Sequence, residues 1–172
     1  PSNPRVFEAL ERQAEARAGT FNAQAVGIML WASATMGREL GAGLIRGLEE
    51  RALAIAGDFN EQNFTNTVWA YATMGLVPDA GLLQRLEEKA ETKIGGFKAQ
   101  NVANTLWAYA TMRREPGKGL MRRLEEKAQA LAGTCNPQDV THILWAYATM
   151  GLEPGEGLMQ GLEKRTDAIV GT

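Results

Sequence analysis

The chain has 172 residues, of which 45% are apolar, and a net charge of -2, so it can bury a sizeable core and is not a disordered tail. No apolar run approaches the roughly 18 to 20 residues of a membrane span, and no segment resembles a signal peptide, so we expect no membrane insertion. Its single cysteine and single histidine exclude an internal disulfide and leave little material for a metal or proton-transfer site. We therefore expect no enzyme, no cofactor, no metal and no small-molecule substrate. The start at Pro1 rather than Met suggests a piece of a longer protein.

One apolar octet recurs four times at a period of 38 residues, as MLWASATM, TVWAYATM, TLWAYATM and ILWAYATM. Residues 5–20 match the second half of that repeat, so 1–20 form an N-terminal half unit, and four full units follow without a gap. The units are 21–58 (unit 1), 59–96 (unit 2), 97–134 (unit 3) and 135–172 (unit 4). A fixed period of this length is the signature of a solenoid, so we expect one continuous domain.

In chain order, the half unit supplies one helix and each full unit supplies two. The first helix of a unit starts after an N-cap, and the caps are Asn22, Asn60, Lys98 and Asn136. It ends at a glycine suited to a left-handed backbone in units 1, 2 and 4, at Gly37, Gly75 and Gly151. A second helix follows, with leucines and alanines at i, i+4 and i+8.

Helices that are apolar along one stripe must stack on their neighbours to bury it. The pattern therefore predicts an all-α, right-handed α-solenoid of helix-turn-helix repeats, made of four units and an N-terminal half unit. Its C-terminal end should be open and apolar, so we expect a protein partner or further repeats there.

Steps of 100° around the first helix separate an apolar arc from a polar arc. Burying a Trp contributes about 4 to 6 kcal/mol as an upper bound, whereas stacking one base on an exposed ring contributes about 1 to 3. We therefore expect the tryptophans to lie mainly in the core between helices. Partly exposed stacking platforms are the alternative. The four are Trp31, Trp69, Trp107 and Trp145.

The polar arc carries two columns that vary between units while the frame stays constant. The first column is Ala25, Asn63, Asn101 and Asp139; the second is Ile28, Asn66, Asn104 and His142. A constant glutamine column and a constant alanine column lie beside them, and we expect the small alanines to leave room for a ligand. Side chains of this kind suit base edges, and helical repeats that read single-stranded RNA assign one base to each repeat. As the alternative, Asn101 and its equivalents fold back on the N-cap amide and Asn104 is simply solvated.

The charge distribution is uneven. A pI near 5.6 predicts poor nonspecific binding to nucleic acid, but residues 97–134 hold seven basic and three acidic side chains. Arg113 and Arg114 stand where units 2 and 4 have Gly-Leu, so we expect them to serve a ligand rather than the turn. The candidate phosphate contacts are Arg113, Arg114, Lys118 and Lys98.

The period and the motif Asn-Val/Phe-x-Asn-Thr-Leu/Val-Trp-Ala-Tyr-Ala-Thr-Met-Gly, which residues 63–75 match throughout, resemble octotricopeptide repeats. The resemblance implies an RNA-binding α-solenoid of chloroplasts or mitochondria that acts in RNA stability, processing or translation. It also implies that the first helix of each unit is the recognition surface. The leading hypothesis is therefore a module that binds single-stranded organellar RNA, with about one nucleotide per repeat. The alternative is a protein-interaction scaffold or structural subunit of an organellar complex.

Overall fold

The computed structural model describes residues 4–171, and the helices predicted from the repeat are all present. They are α1 (Pro4–Arg17), α2 (Ala23–Thr35), α3 (Ala42–Ala54), α4 (Glu61–Thr73), α5 (Ala80–Lys93), α6 (Ala99–Thr111), α7 (Lys118–Leu131), α8 (Pro137–Met150) and α9 (Glu156–Val170). No strand occurs within these residues, so the all-α prediction is confirmed. The ends of the predicted half unit and of unit 4, at 1–3 and 172, lie outside the described residues.

The helices form two layers. The leading helices α2, α4, α6 and α8 pack on one another in sequence order, and the second helices α1, α3, α5, α7 and α9 form the other layer. A short 3-10 turn such as Ile94–Gly96 links each second helix to the next leading helix. The chain is therefore a helical solenoid, as the repeat predicted. Nowhere between residues 4 and 171 is a helix both long enough and apolar enough to cross a membrane.

Local chemistry explains where the leading helices begin and end. Asn22, Asn60 and Asn136 each accept a hydrogen bond from the third helical amide at 2.8 Å, so these caps are confirmed. At the other end, the glycines of units 1, 2 and 4 have φ between 61° and 70°.

Arg113 occupies the same left-handed position in unit 3, with φ of 55°. Its amide donates to the Ala110 carbonyl and the Arg114 amide to the Tyr109 carbonyl, both at 3.0 Å, which closes a Schellman motif. Arg113 thus serves the turn, contrary to expectation. This backbone costs a residue with a Cβ about 1 kcal/mol relative to glycine.

A glutamate latch joins the two layers at three junctions. Tyr109 Oη donates to Glu87 Oε1 at 2.7 Å, and the Gly117 amide at the start of α7 donates to Glu87 Oε2 at 3.3 Å. Burial raises the pKa of both Tyr109 and Glu87. The same latch is formed by Tyr71, Glu49 and Asp79, and by Tyr147, Glu125 and Gly155. In unit 1 the tyrosine is replaced by Ser33.

The structure corrects the predicted position of the tryptophans. Trp31 and Trp145 are 43% exposed, and Trp69 and Trp107 are half-buried. The reason is that leading helices approach one another through small side chains, which leaves no room between them for an indole. Three of the four constant alanines therefore do not make room for a ligand: Ala70, Ala108 and Ala146 are fully buried in the helix contacts. Ala32 of unit 1 is half-buried and lines a cavity.

Candidate nucleic-acid interface

The accessible stripe of each leading helix follows the spacing i, i+4, i+7, i+11, which is one side of an α-helix. In α6 this stripe runs from Gln100 to Thr111. Together the four stripes make a surface that we call the ladder face. It consists of Gln24, Ile28, Trp31 and Thr35; Gln62, Asn66, Trp69 and Thr73; Gln100, Asn104, Trp107 and Thr111; and Gln138, His142, Trp145 and Thr149.

The tryptophans form a row along the ladder face. The ring centroids of Trp69 and Trp107 are 6.4 Å apart, and those of Trp107 and Trp145 are 6.5 Å apart, with interplanar angles of 31° and 33°. This spacing is close to twice the roughly 3.4 Å rise per nucleotide of one strand in a duplex. A strand that places one base on each ring must therefore be extended, with its bases unstacked from one another.

His142 lies between units 3 and 4 of this row. Its ring stacks on Trp107 with a centroid distance of 5.6 Å, and its Nδ1 is 3.3 Å from Asn104 Oδ1. Burial lowers the pKa of His142, although the nearby Asp139 carboxylate opposes the change. The neutral imidazole is therefore favoured at neutral pH. Because an amide oxygen only accepts, Nδ1 carries the proton and Nε2 can accept.

The first predicted base-facing column is not on the ladder face. Asn63, Asn101 and Asp139 are only 7%, 6% and 5% exposed, because the preceding leading helix covers them. Their side chains accept from the N-cap backbone amides at 3.3, 3.0 and 3.0 Å, so the capping alternative is confirmed for them. Ala25, the remaining member of that column, is half-buried in α2.

The second predicted column does lie on the ladder face. Ile28 is 48% exposed, and Asn66, Asn104 and His142 are half-buried beside the tryptophans. Its members are Ile, Asn, Asn and His, whereas the glutamine, tryptophan and threonine columns are constant. This is the one ladder-face column that varies between units.

A ladder-face residue that sequence reasoning did not propose as a site residue is Gln62. Its Nε2 donates to Asn66 Oδ1 at 2.7 Å, and its Oε1 accepts from Asn101 Nδ2 of the next unit at 3.3 Å. The constancy of the glutamine column beside the variable column was the available signal. The buried Asn101 is thus connected to Asn66 through one side chain.

The predicted phosphate contacts are exposed, but they do not form one cluster. Arg113 and Arg114 line a cavity of about 320 Å³ together with Thr149 of the ladder face. Lys118 lines a separate groove among glutamates. Lys98 is exposed at the N-cap of α6.

Among the leading helices, the exposed large apolar side chains lie in the two end helices, α2 and α8. At unit 1, a cavity of about 510 Å³ is lined mainly by the apolar side chains Phe21, Ile28, Met29 and Ala32. In unit 4, Leu144 is 37% exposed.

Paired helices in two layers, with an aromatic and amide row along one side, define an α-solenoid repeat protein. A family model described as RESC6, RNA-editing substrate-binding complex 6 protein, matches residues 4–155. The chain therefore belongs to the RESC6 family. No curated protein matched the sequence. The narrower assignment to octotricopeptide repeats stays a prediction.

Proposed function

We propose that this chain is an RNA-binding module of an RNA-editing substrate-binding complex. It holds organellar single-stranded RNA along the ladder face, with about one nucleotide per repeat, and so acts in RNA processing, stability or translation. The observation that carries the proposal is the row of partly exposed tryptophans beside the single variable column of that face. The family's name, which refers to the binding of RNA-editing substrates, supports it.

Stacking supplies most of the expected affinity. An aromatic platform contributes about 1 to 3 kcal/mol per base, and the rings of Trp69, Trp107 and Trp145 succeed one another at a constant interval. Polar atoms of Asn66, Asn104 and His142 lie beside the rings, within reach of the edges of stacked bases.

Phosphate contacts contribute less. Arg113 and Arg114 line one cavity together with Thr149 of the ladder face. Each neutralised phosphate on a single strand contributes about -0.7 to the slope of log K against log salt, so two arginines predict a slope near -1.4. This shallow slope agrees with the acidic balance of the chain.

The test is a titration of labelled single-stranded RNA at several salt concentrations, with Trp69→Leu and Trp107→Leu as variants. Each substitution should weaken binding by about fivefold to more than a hundredfold, the equivalent of one lost stacking contact. Leu144→Ala is the matched control, since it removes exposed apolar surface outside the ladder face. Absence of binding at low salt, or equal binding by the variants, would overturn the proposal.

A protein-interaction scaffold is the second candidate, favoured by the apolar cavity at unit 1 and by the exposed Leu144. A pull-down from nuclease-treated extract separates the two functions. A scaffold keeps its partner without RNA and loses it in Met29→Asp, whereas Trp107→Leu has no effect. Loss of every partner on nuclease treatment would favour RNA binding instead.

A further inference from the structure

A chain of hydrogen bonds across the junction of units 2 and 3 fixes the orientation of the Asn66 amide on the ladder face. We infer that Asn66 presents its NH₂ group to RNA, so unit 2 selects a keto base, uracil or guanine, over adenine or cytosine. This inference rests on the proposed function and adds the base class that one repeat prefers.

The chain begins at a backbone amide, whose polarity cannot reverse. The Lys98 N–H donates to Asn101 Oδ1 at 3.0 Å, so the other side of the Asn101 amide must be its NH₂ group. That group donates to Gln62 Oε1 at 3.3 Å. Gln62 Nε2 is therefore the remaining donor, and it lies 2.7 Å from Asn66 Oδ1.

Thr65 makes the same orientation necessary. Its hydroxyl proton is used toward the Glu61 carbonyl at 2.8 Å, so the oxygen can only accept from Asn101 Nδ2, at 3.5 Å. A reversed Asn101 amide would place two acceptors against each other at both Gln62 and Thr65. Asn101 is nearly buried, so water cannot readily compensate for that loss.

Because its oxygen is turned toward Gln62, Asn66 has its NH₂ group on the other side of the amide, available to a ligand. Within residues 4–171 that group bonds to no other residue. It lies on the half-buried second column, next to Trp69 in the row of rings. A base stacked on the row therefore meets a donor there.

Bases differ in what they offer such a donor. Uracil and guanine carry a carbonyl, O4 or O6, where cytosine and adenine carry an amine, N4 or N6. A carbonyl accepts from Asn66, whereas an amine leaves two donors facing each other. One such hydrogen bond is equivalent to about a threefold to tenfold preference.

The other units lack this arrangement, which confines the inference to unit 2. Unit 1 has Ile28 in the second column and no amide to orient. At the junction of units 3 and 4, the residue equivalent to Asn101 is Asp139. Its carboxylate accepts from the Asn136 amide, but it has no NH₂ group that could donate to a neighbouring glutamine.

The test measures binding of labelled single-stranded RNA octamers in two matched pairs, uridine against cytidine and inosine against adenosine, which differ at the carbonyl or amine. The wild-type chain should prefer the keto member of each pair by about threefold to tenfold. In Gln62→Glu the new carboxylate accepts from both Asn101 and Asn66. The Asn66 amide then turns, its oxygen faces outward, and the preference should reverse.

Two further variants separate orientation from charge and folding. Gln24→Glu places the same charge in the same column beside Ile28, so it should weaken all octamers equally without changing their ratio. Asn101→Asp removes the NH₂ group that donates to Gln62, so the amides of Gln62 and Asn66 should both turn and the preference should also reverse. Unit 4, which has Asp139 at the equivalent position, shows that the repeat accommodates Asp there. Thermal melting of each variant confirms that it is folded.

Equal wild-type affinity within both pairs would overturn the inference while leaving RNA binding intact. A Gln62→Glu ratio no different from that of Gln24→Glu would do the same. Failure of every octamer to bind would overturn the proposed function together with the inference.

Discussion

The inner units 2 and 3 and the outer units 1 and 4 carry nearly the same octet in different surroundings. Trp69 and Trp107 are half-buried, whereas Trp31 and Trp145 are 43% exposed. Every octet has its tryptophan at the same position, so the difference in exposure comes from the neighbouring helices. Whether a position in a repeat is core or surface is thus decided at the junction between units.

The largest expected effect comes from the leucine of the octet. Leu106→Ala should lower the free energy of unfolding by about 2 to 5 kcal/mol, because Leu106 is 0% exposed between α6 and its neighbours. Leu144→Ala, at the equivalent but open position, should cost less than about 1 kcal/mol. Chemical denaturation measures both, and equal losses would contradict the comparison.

The latch at an inner junction gives the next largest effect. Tyr109→Phe removes the donor to Glu87 and should lower the free energy of unfolding by about 1 to 2 kcal/mol at pH 7. The pKa of Glu87 is raised in the folded chain above its usual 4.5, and losing Tyr109 should raise it further. A raised carboxyl pKa favours folding at low pH, and that contribution disappears as pH rises through the folded value. The loss in Tyr109→Phe should therefore be smaller near pH 4 than at pH 7, as urea titrations at both pH values would show.

A third comparison concerns a buried threonine that unit 4 replaces with Ile143. Thr105 is fully buried, and its hydroxyl has no hydrogen-bond partner among the described residues. Thr105→Val should therefore raise the free energy of unfolding by about 1 kcal/mol. Thr65→Val is the control and should lower it, since the Thr65 hydroxyl bonds to Glu61 and Asn101. Stabilisation by both substitutions would contradict this interpretation.

The turn of unit 3 differs from the turns of the other units by its arginine. Arg113→Gly should stabilise the fold by about 0.5 to 1 kcal/mol, because glycine adopts the left-handed backbone without cost. Gly151→Arg should destabilise by a similar amount. If Arg113 binds phosphate, Arg113→Gly should also make the salt slope of RNA binding shallower by about 0.7. Melting curves and salt titrations on the same variants test the two effects separately.

The smallest effect concerns His142 at the junction of units 3 and 4. Its pKa is lowered by burial, so the unfolded chain takes up the proton first as pH falls. The contribution of neutral His142 to the free energy of unfolding is complete above its usual pKa of 6.5. This contribution is lost as pH falls through 6.5 toward the lower pKa of the folded chain. His142→Asn should show a flatter decline of unfolding free energy between pH 7.5 and about pH 5.5. Identical slopes for wild type and variant would exclude this role.

Sequence reasoning predicted the fold because period, caps and turns all depend on local chemistry. It also located the second variable column, with Asn66 on the ladder face. It misplaced Asn101 because a helical wheel divides a helix into a buried half and an exposed half. An inner leading helix is instead covered by leading helices on both sides and by the second-helix layer. The small residues on those flanks, such as Ala103 and Ala108, were the sign of close helix contact.

The orientation of the Gln62 amide could not be predicted from the sequence of one unit, because it depends on a hydrogen bond from Asn101 of the next unit. Equally, no feature of the octet indicates that its tryptophans form a row. That row arises only when successive units stack in register.

Under the proposed function, the glutamate latch has a consequence for how the row of rings can evolve. Each latch ties a second helix to the leading helix of the following unit, and small buried alanines pack the leading helices together. Contacts away from the variable column therefore hold the interval between rings. Exchanges in the variable column can then alter which nucleotide a unit prefers while the distance from one nucleotide to the next stays the same. The nucleotide preference of a unit and the spacing between units can therefore change independently, so a new RNA target requires no change in the fold.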